Sequence, residues 1–177
     1  MSQRYRDVLD YEIGARIVVE FTTDRRDVVD YAVVLTVDDE EDVATVRVYD
    51  GAHSVNEMHR RDGSSEKAPA ETFHPGTLGE GMRAAITAVH WLRGDDRRMA
   101  RNLNPAESPT AKAMDRAINL AIEGDSPYPE HAAFVNADSP QAGHEITRSL
   151  DEGYAVVFVS ADGRERIITA KTLAVSR

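Results

Sequence analysis

Residues 15–50 decide the fold of this chain: ARIVVEFTTDRRDVVDYAVVLTVDDEEDVATVRVYD. They contain three runs rich in β-branched residues, and two acidic segments, TTDRRD and DDEED, separate these runs. This composition predicts three strands joined by turns, and consecutive strands with short turns form an antiparallel meander. In the third run, the side chains of Ala44, Val46 and Val48 alternate with those of Thr45, Arg47 and Tyr49. The alternation predicts a sheet with one buried face.

Two further elements are expected directly after the meander. Residues 54–61 form either a fourth strand or an extended loop, and in an extended segment Glu57 and His59 share one side while Met58 lies opposite. A polar stretch, GSSEKAPAE at residues 63–71, is expected to be a flexible connection. Thr77 and Glu80 then match a capping box, which predicts the start of a helix. Its core-facing stripe is Met82, Ile86 and Val89.

The second half begins with the polar segment GDDRRMARNLNPAESP at residues 94–109, where a boundary between residues 97 and 105 is expected. Ser108 and Pro109 predict the cap and first turn of a second helix, which Gly124 ends. A short strand at residues 132–135 follows, and then a third helix that Ser139 caps and Pro140 opens. Two strands joined by Ala161-Asp162-Gly163-Arg164 complete the chain, because Asp-Gly between apolar runs is typical of a hairpin.

These elements predict an α+β fold. Its first part is an antiparallel β-meander packed by a helix, and its second part is a helix followed by a small βαββ unit. Two organisations remain open at this point. Residues 1–96 and 97–177 either form two units or share one core.

Composition narrows the functional classes. The 177 residues are 41% hydrophobic and 29% charged, as in soluble globular proteins. The absence of cysteine excludes disulfides, thiolate zinc sites and a cysteine nucleophile. No run reaches the length of a membrane span and MSQRYRDVLDYE lacks the apolar stretch of a secretion signal, so a cytoplasmic location is expected. The net charge of −10 argues against nonspecific binding to nucleic acid or anionic lipid.

Chemistry-bearing side chains concentrate between residues 49 and 86. The segment holds three of the six histidines together with acidic and basic groups that donate and accept protons or hydrogen bonds near neutral pH. The candidate binding residues are Asp50, His53, Glu57, His59, Arg60, Arg61, Lys67 and His74.

Three kinds of chemistry fit these residues. One is the binding of a partner. Another is metal-free RNA cleavage, in which His53 and His59 act as base and acid, Glu57 orients or replaces one of them, and the arginines or Lys67 hold the phosphate. A third is a metal site formed by His53, Glu57 and His59 with Asp50 or His74 as a further ligand. Because the histidine and glutamate spacing matches no standard metal motif, neither a metal ion nor another cofactor is predicted.

Several local motifs carry a family resemblance. They are Tyr49-Asp50-Gly51-Ala52-His53, Glu57-Met58-His59-Arg60, Phe73-His74-Pro75-Gly76-Thr77 and residues 80–86, EGMRAAI. On these motifs the segment from Val48 to Ile86 resembles an uncharacterised domain family of actinobacteria and their phages, which has no established activity. More distantly, the Tyr-Asp-x-x-His stretch followed by His59-Arg60 is similar to TumE-like toxins of toxin–antitoxin systems. That resemblance implies a nuclease, although here Asn56-Glu57-Met58 stands where those toxins have a denser histidine cluster.

The sequence therefore predicts a small cytoplasmic accessory protein, phage-encoded in line with the first resemblance. It is expected to bind a protein partner or a small anionic ligand through residues 50–74. The alternative is a histidine-dependent, metal-free ribonuclease toxin, and RNA is a partner only under that hypothesis. Whether the protein is an enzyme stays open. No membrane association is expected, and an exposed strand edge would allow two copies to pair.

Overall fold

The computed structural model describes residues 1–40, 42–61, 68–91 and 108–175. The elements of the first half are β1 (Ser2–Asp10), β2 (Ala15–Asp24), β3 (Asp27–Asp39), β4 (Asp42–Asp50), β5 (Asn56–Arg60), β6 (Glu71–His74) and α1 (Leu78–Trp91). Those of the second half are α2 (Pro109–Glu123), β7 (His131–Asn136), α3 (Ala142–Asp151), β8 (Ala155–Val159), β9 (Glu165–Ile168) and α4 (Ala170–Val175). The boundary expected between residues 97 and 105 lies outside the described residues.

One mixed sheet contains these nine strands in the order β6-β5-β4-β3-β2-β1-β7-β8-β9. From β1 to β6, each strand pairs antiparallel with the next one along the chain, which confirms the predicted meander. Strand β7 runs parallel to both β1 and β8. Strand β9 pairs antiparallel with β8 at the edge of the sheet and is the second strand of the predicted hairpin. The fold is α+β, as predicted. Because β1 pairs with β2 on one side and β7 on the other, both halves of the chain contribute to the same sheet.

Two strands were missed by the sequence patterns. No sequence pattern predicts β1, yet this strand lies near the centre of the sheet, where Gln3, Arg6 and Asp7 are buried. Buried polar side chains remove the alternation on which strand prediction depends. Strand β6 is only four residues long, and it begins at Glu71, the last residue of the stretch that is expected to be a flexible connection.

The predicted alternation in β4 is wrong in one respect. The register shifts between Thr45 and Arg47, so that Val46 is an extra residue in the ladder. Val46 and Tyr49 both contact the main core, whereas the expected pattern put them on opposite sides. A β-bulge of this kind changes which residues share a face, and the sequence gives no local sign of it here.

Helices α1 and α2 cover one face of the sheet and form the main core with it. The predicted α1 stripe is confirmed: Met82 and Val89 are fully buried and Ile86 packs against them. Ser108 caps α2 through the amide of Ala111, and Gly124 ends the helix with a left-handed backbone, φ 86°. The core of this face extends across both halves of the chain, from Tyr49 on β4 to Phe134 on β7.

Helix α3 packs on the opposite face of the sheet. Val135, Ala142 and Val156 form a second, smaller core there, with Ile146 and Leu150 partly buried against it. The predicted start of α3 is two residues too early. Ser139 makes a preceding turn, in which its carbonyl accepts from the Ala142 amide, and the helix begins at Ala142.

A network of ion pairs attaches α3 to the first three strands. Glu145 is 2% exposed and receives two hydrogen bonds from the Arg16 guanidinium, 3.1 Å from Nε and 2.9 Å from Nη2. Arg16 also donates to Asp38 at 2.8 Å, and Arg148 donates to the same carboxylate. Arg6 pairs with Glu152 and donates to the Ser149 hydroxyl at 2.7 Å. We call these six charged residues (Arg6, Arg16, Asp38, Glu145, Arg148 and Glu152) the α3 ion network.

No helix within the described ranges combines the length and the apolar character that crossing a bilayer requires.

Candidate functional site

Three of the predicted residues converge on the β4–β5 hairpin. In its ladder Asp50 lies opposite Glu57, and Val48 lies opposite His59. Because alternate residues of a strand point to the same face, Glu57 and His59 share a face with Asp50. Tyr49 and Met58, which alternate with them, contact the main core beside α1. Asp50, Glu57 and His59 therefore lie on the sheet face opposite α1, and we call them the hairpin cluster.

The hairpin cluster places one imidazole between two carboxylates. His59 Nε2 lies 3.3 Å from Asp50 Oδ2 and 3.8 Å from Glu57 Oε2. His59 is 6% exposed, whereas the side chains of Asp50 and Glu57 are 22% and 27% exposed. One candidate ligand atom from each residue lies within 4.8 Å of the other two. The convergence of one imidazole nitrogen and two carboxylate oxygens is a geometry that could hold a metal cation.

The backbone fixes the orientation of the Asp50 carboxylate. Asp50 Oδ1 accepts a hydrogen bond from the Ala52 amide at 3.1 Å, which leaves Oδ2 directed towards His59. On the other side of the imidazole, His59 Nδ1 is buried and accepts or donates no hydrogen bond among the described residues. The ring is thus polar at the carboxylate side and enclosed at the other.

His53 lies at the tip of the hairpin, residues 51–55, and does not join this cluster. His53 and Ser54 adopt left-handed backbone conformations, with φ of 58° and 62°, and both are exposed. Hydrogen bonds hold the tip: the Gly51 amide donates to the Tyr31 carbonyl at 3.0 Å, and the Val55 amide donates to the Ala52 carbonyl at 3.1 Å. A left-handed conformation is uncommon for residues other than glycine, histidine being one that adopts it more readily, and it occurs at turns as well as at functional sites.

His74 is the last residue of β6 and does not belong to the hairpin cluster. Its Nδ1 accepts a hydrogen bond from the Gly76 amide at 3.0 Å. The predicted capping box follows directly. Thr77 donates through its amide to Glu80 Oε2 at 2.8 Å, and the Glu80 amide donates to Thr77 Oγ1 at 3.3 Å. The amide and hydroxyl of Thr77 hold the pKa of Glu80 below its usual value. This carboxylate belongs to the first turn of α1, where a negative charge is favourable.

The structure describes two of the three predicted basic residues, Arg60 and Arg61. Arg60 is exposed and, by alternation, lies on the face opposite His59. Arg61 follows β5, is exposed, and donates its amide to the Val46 carbonyl at 3.1 Å. Lys67 lies outside the described residues. The ribonuclease hypothesis, which needs two histidines and a cation at one phosphate, stays a prediction.

Asn56 organises this region and was missed by the sequence patterns. It is buried, accepts from the Tyr31 hydroxyl at 3.0 Å, and donates to the carbonyls of His74 and Gly76 at 3.1 and 2.9 Å. Burial and the charge of Asp50 raise the pKa of Tyr31 to about 12, so its hydroxyl stays protonated and can donate. An asparagine among polar neighbours gives no sequence signal, because its partners come from three separate elements.

Comparison of the chain with protein-family models, with curated proteins and with solved structures gives no match. The geometry of the hairpin, its tip and the helix start is therefore the basis for assigning a function.

Proposed function

We propose that this protein is a cytoplasmic accessory protein that binds a partner protein through the tip of the β4–β5 hairpin. The proposal depends on one observation: His53 and Ser54 are held exposed in left-handed conformations on a tip that hydrogen bonds anchor to β3. Loops that carry recognition residues are commonly presented this way, on a rigid scaffold. Val55, next to them, is 41% exposed and adds an apolar contact.

The charge around the tip favours a partner with a basic surface. Residues 1–90, which include the tip, hold 18 of the 31 acidic residues but only 10 of the 21 basic ones. Complementary charge accelerates encounter and selects partners. A small anion is less well supported at the start of α1, because the Glu80 carboxylate in the first turn would repel it.

A photo-crosslinking amino acid at position 53 tests the proposal in a lysate of the organism that encodes the chain. The matched control carries the same amino acid at Asp162, at the exposed tip of the β8–β9 hairpin on the other edge of the sheet. Position 53 is expected to give a discrete protein adduct that excess unlabelled wild-type protein removes. The doubly substituted competitor His53→Ala/Val55→Asp is expected to remove it poorly.

The dependence of crosslinking on salt concentration tests whether the partner surface is basic. If the partner surface is basic, the yield of the adduct falls as ionic strength rises, because screening weakens the attraction. Identical adducts from positions 53 and 162, or full competition by the substituted chain, would contradict the proposal.

A further inference from the structure

We propose that the hairpin cluster, Asp50, Glu57 and His59, is a binding site for a divalent first-row transition-metal ion. One imidazole and two carboxylates are the ligand types that Mn²⁺, Fe²⁺ and Zn²⁺ accept. The proposal goes beyond the partner-binding function and does not depend on it. The hairpin cluster is on a sheet face, whereas the proposed recognition residues are at the tip.

The separations between the ligand atoms fit a single ion. Two ligands at about 2.0–2.1 Å from a tetrahedral ion lie about 3.3 Å apart. His59 Nε2 lies 3.3 Å from Asp50 Oδ2 and 3.8 Å from Glu57 Oε2, so small side-chain rotations would bring the three atoms around one centre. The site is also built on two paired strands, since Asp50 and Glu57 are opposite one another in the ladder. Regular elements hold ligands more precisely than loops do.

The charge of the cluster also suits a dication, because the two positive charges of the ion match the carboxylates of Asp50 and Glu57. His59 is more than nine-tenths buried with Nε2 directed towards the carboxylates, so the side chain that would hold the ion is already positioned.

The remaining coordination positions face solvent. Asp50 and Glu57 are each about one-quarter exposed at the side chain. Water can therefore complete the coordination sphere, which is the arrangement of an open site. The bond from the Ala52 amide to Asp50 Oδ1 acts as the outer support that fixes a carboxylate ligand.

Metal titration of the full chain tests the site. Protein stripped with chelator and then dialysed is titrated with Zn²⁺ or Mn²⁺ alone, by calorimetry and by thermal unfolding. One equivalent of ion is expected to bind and to raise Tm. Glu57→Gln and His59→Gln are each expected to weaken binding at least tenfold, because each removes a ligand. His144→Gln, at an exposed histidine of α3, is the matched control and is expected to bind as the wild type does.

Paramagnetic broadening by Mn²⁺ locates the ion independently of stability. The amide resonances of residues 48–50 and 57–59 are expected to broaden first, while those of α3 are unaffected. Should His59→Gln fail to fold, Glu57→Gln carries the test, since Glu57 is partly exposed. Absence of binding at about 1 mM ion, the weak end of specific affinity, would overturn the proposal, as would unchanged binding by the folded variants. Neither result affects the crosslinking experiment at position 53, so the metal site and the partner-binding tip can be disproved independently of each other.

Discussion

Asn56 shows how a single side chain connects three elements of this protein. Its amide oxygen accepts from Tyr31 on β3, and its amide nitrogen donates to carbonyls before α1, while its own backbone belongs to β5. The helix approaches so closely that a Cβ added at Gly81 would lie 1.9 Å from Asn56 Oδ1. The absence of a side chain at Gly81 therefore permits the contact between α1 and the hairpin.

Substitution of two glycines in α1 is expected to have opposite effects on stability. Gly81→Ala forces the buried Asn56 amide out of its hydrogen bonds, and a loss of about 1–3 kcal/mol in the free energy of unfolding is expected. At Gly79 an added Cβ meets only Val28, at an ordinary 3.7 Å. Gly79→Ala is therefore expected to stabilise the protein by up to about 1 kcal/mol, from helix propensity. Urea unfolding of both variants measures the difference. A Gly81→Ala protein as stable as the wild type would show that Asn56 does not hold the helix.

At the scale of elements, α3 combines an apolar contact with a charged one. Ile146 and Leu150 pack on the smaller core, whereas Glu145 is directed at Arg16 and Arg6 on the neighbouring strands. Burying charges is costly, and the cost is offset only when each charge is paired. The α3 ion network provides such pairing for Glu145, so removal of one member leaves its partners buried without full compensation.

Glu145→Gln is expected to destabilise the protein by about 3 kcal/mol, the scale for breaking a buried ion pair. Thermal unfolding and hydrogen exchange at α3 measure the effect, and the amides of α3 are expected to lose protection first. Glu123→Gln, at the exposed end of α2, is the matched control and is expected to change stability by less than about 0.5 kcal/mol. Equal stability of the two variants would mean that the apolar contacts alone attach α3.

For the whole molecule, the α3 ion network links the two halves of the chain. Asp38 on β3 binds Arg16 on β2 and Arg148 on α3. Burial by itself would raise the pKa of Asp38, but hydrogen bonds from Arg148 and Arg16 outweigh it and hold the pKa below its usual value. Burial likewise opposes the effect of Arg148 and Arg6 on Glu152, whose pKa is also lowered.

These pKa shifts predict how stability changes with pH. A carboxyl group with a lowered pKa stabilises the folded state fully above its unfolded pKa, about 4, and loses that contribution as pH falls through the lower folded value. Asp38→Asn is therefore expected to cost about 1 kcal/mol at pH 7, since solvent screens this partly exposed group, and to flatten the loss of stability below pH 4. Urea unfolding across a pH series measures both effects. Asp39→Asn, at an exposed neighbour, is the control. If Asp38→Asn loses stability below pH 4 as steeply as the wild type does, Asp38 is not the source of that loss.

The sequence by itself determined the local elements of this protein. β-branched runs between acidic turns specified β2 to β4, and the capping box and apolar stripe specified α1, since both signals depend on near neighbours in the chain. The period of an extended strand also placed Glu57 and His59 on one side. Recognition of β1 failed, because its buried polar residues break the apolar pattern, and the partners of Arg6 lie on α3 and directly after it.

Only the tertiary structure decided which side chains meet. Asp50 reaches His59 because the hairpin register pairs β4 with β5, and the bulge at Val46 sets which β4 residues face the core. His53 and His74 come from the same sequence segment as His59 but do not join it. His53 lies on the left-handed tip, and His74 accepts a hydrogen bond from the Gly76 amide. Register, bulges and the burial of polar groups depend on contacts between distant segments, and these contacts have no local signature in the sequence.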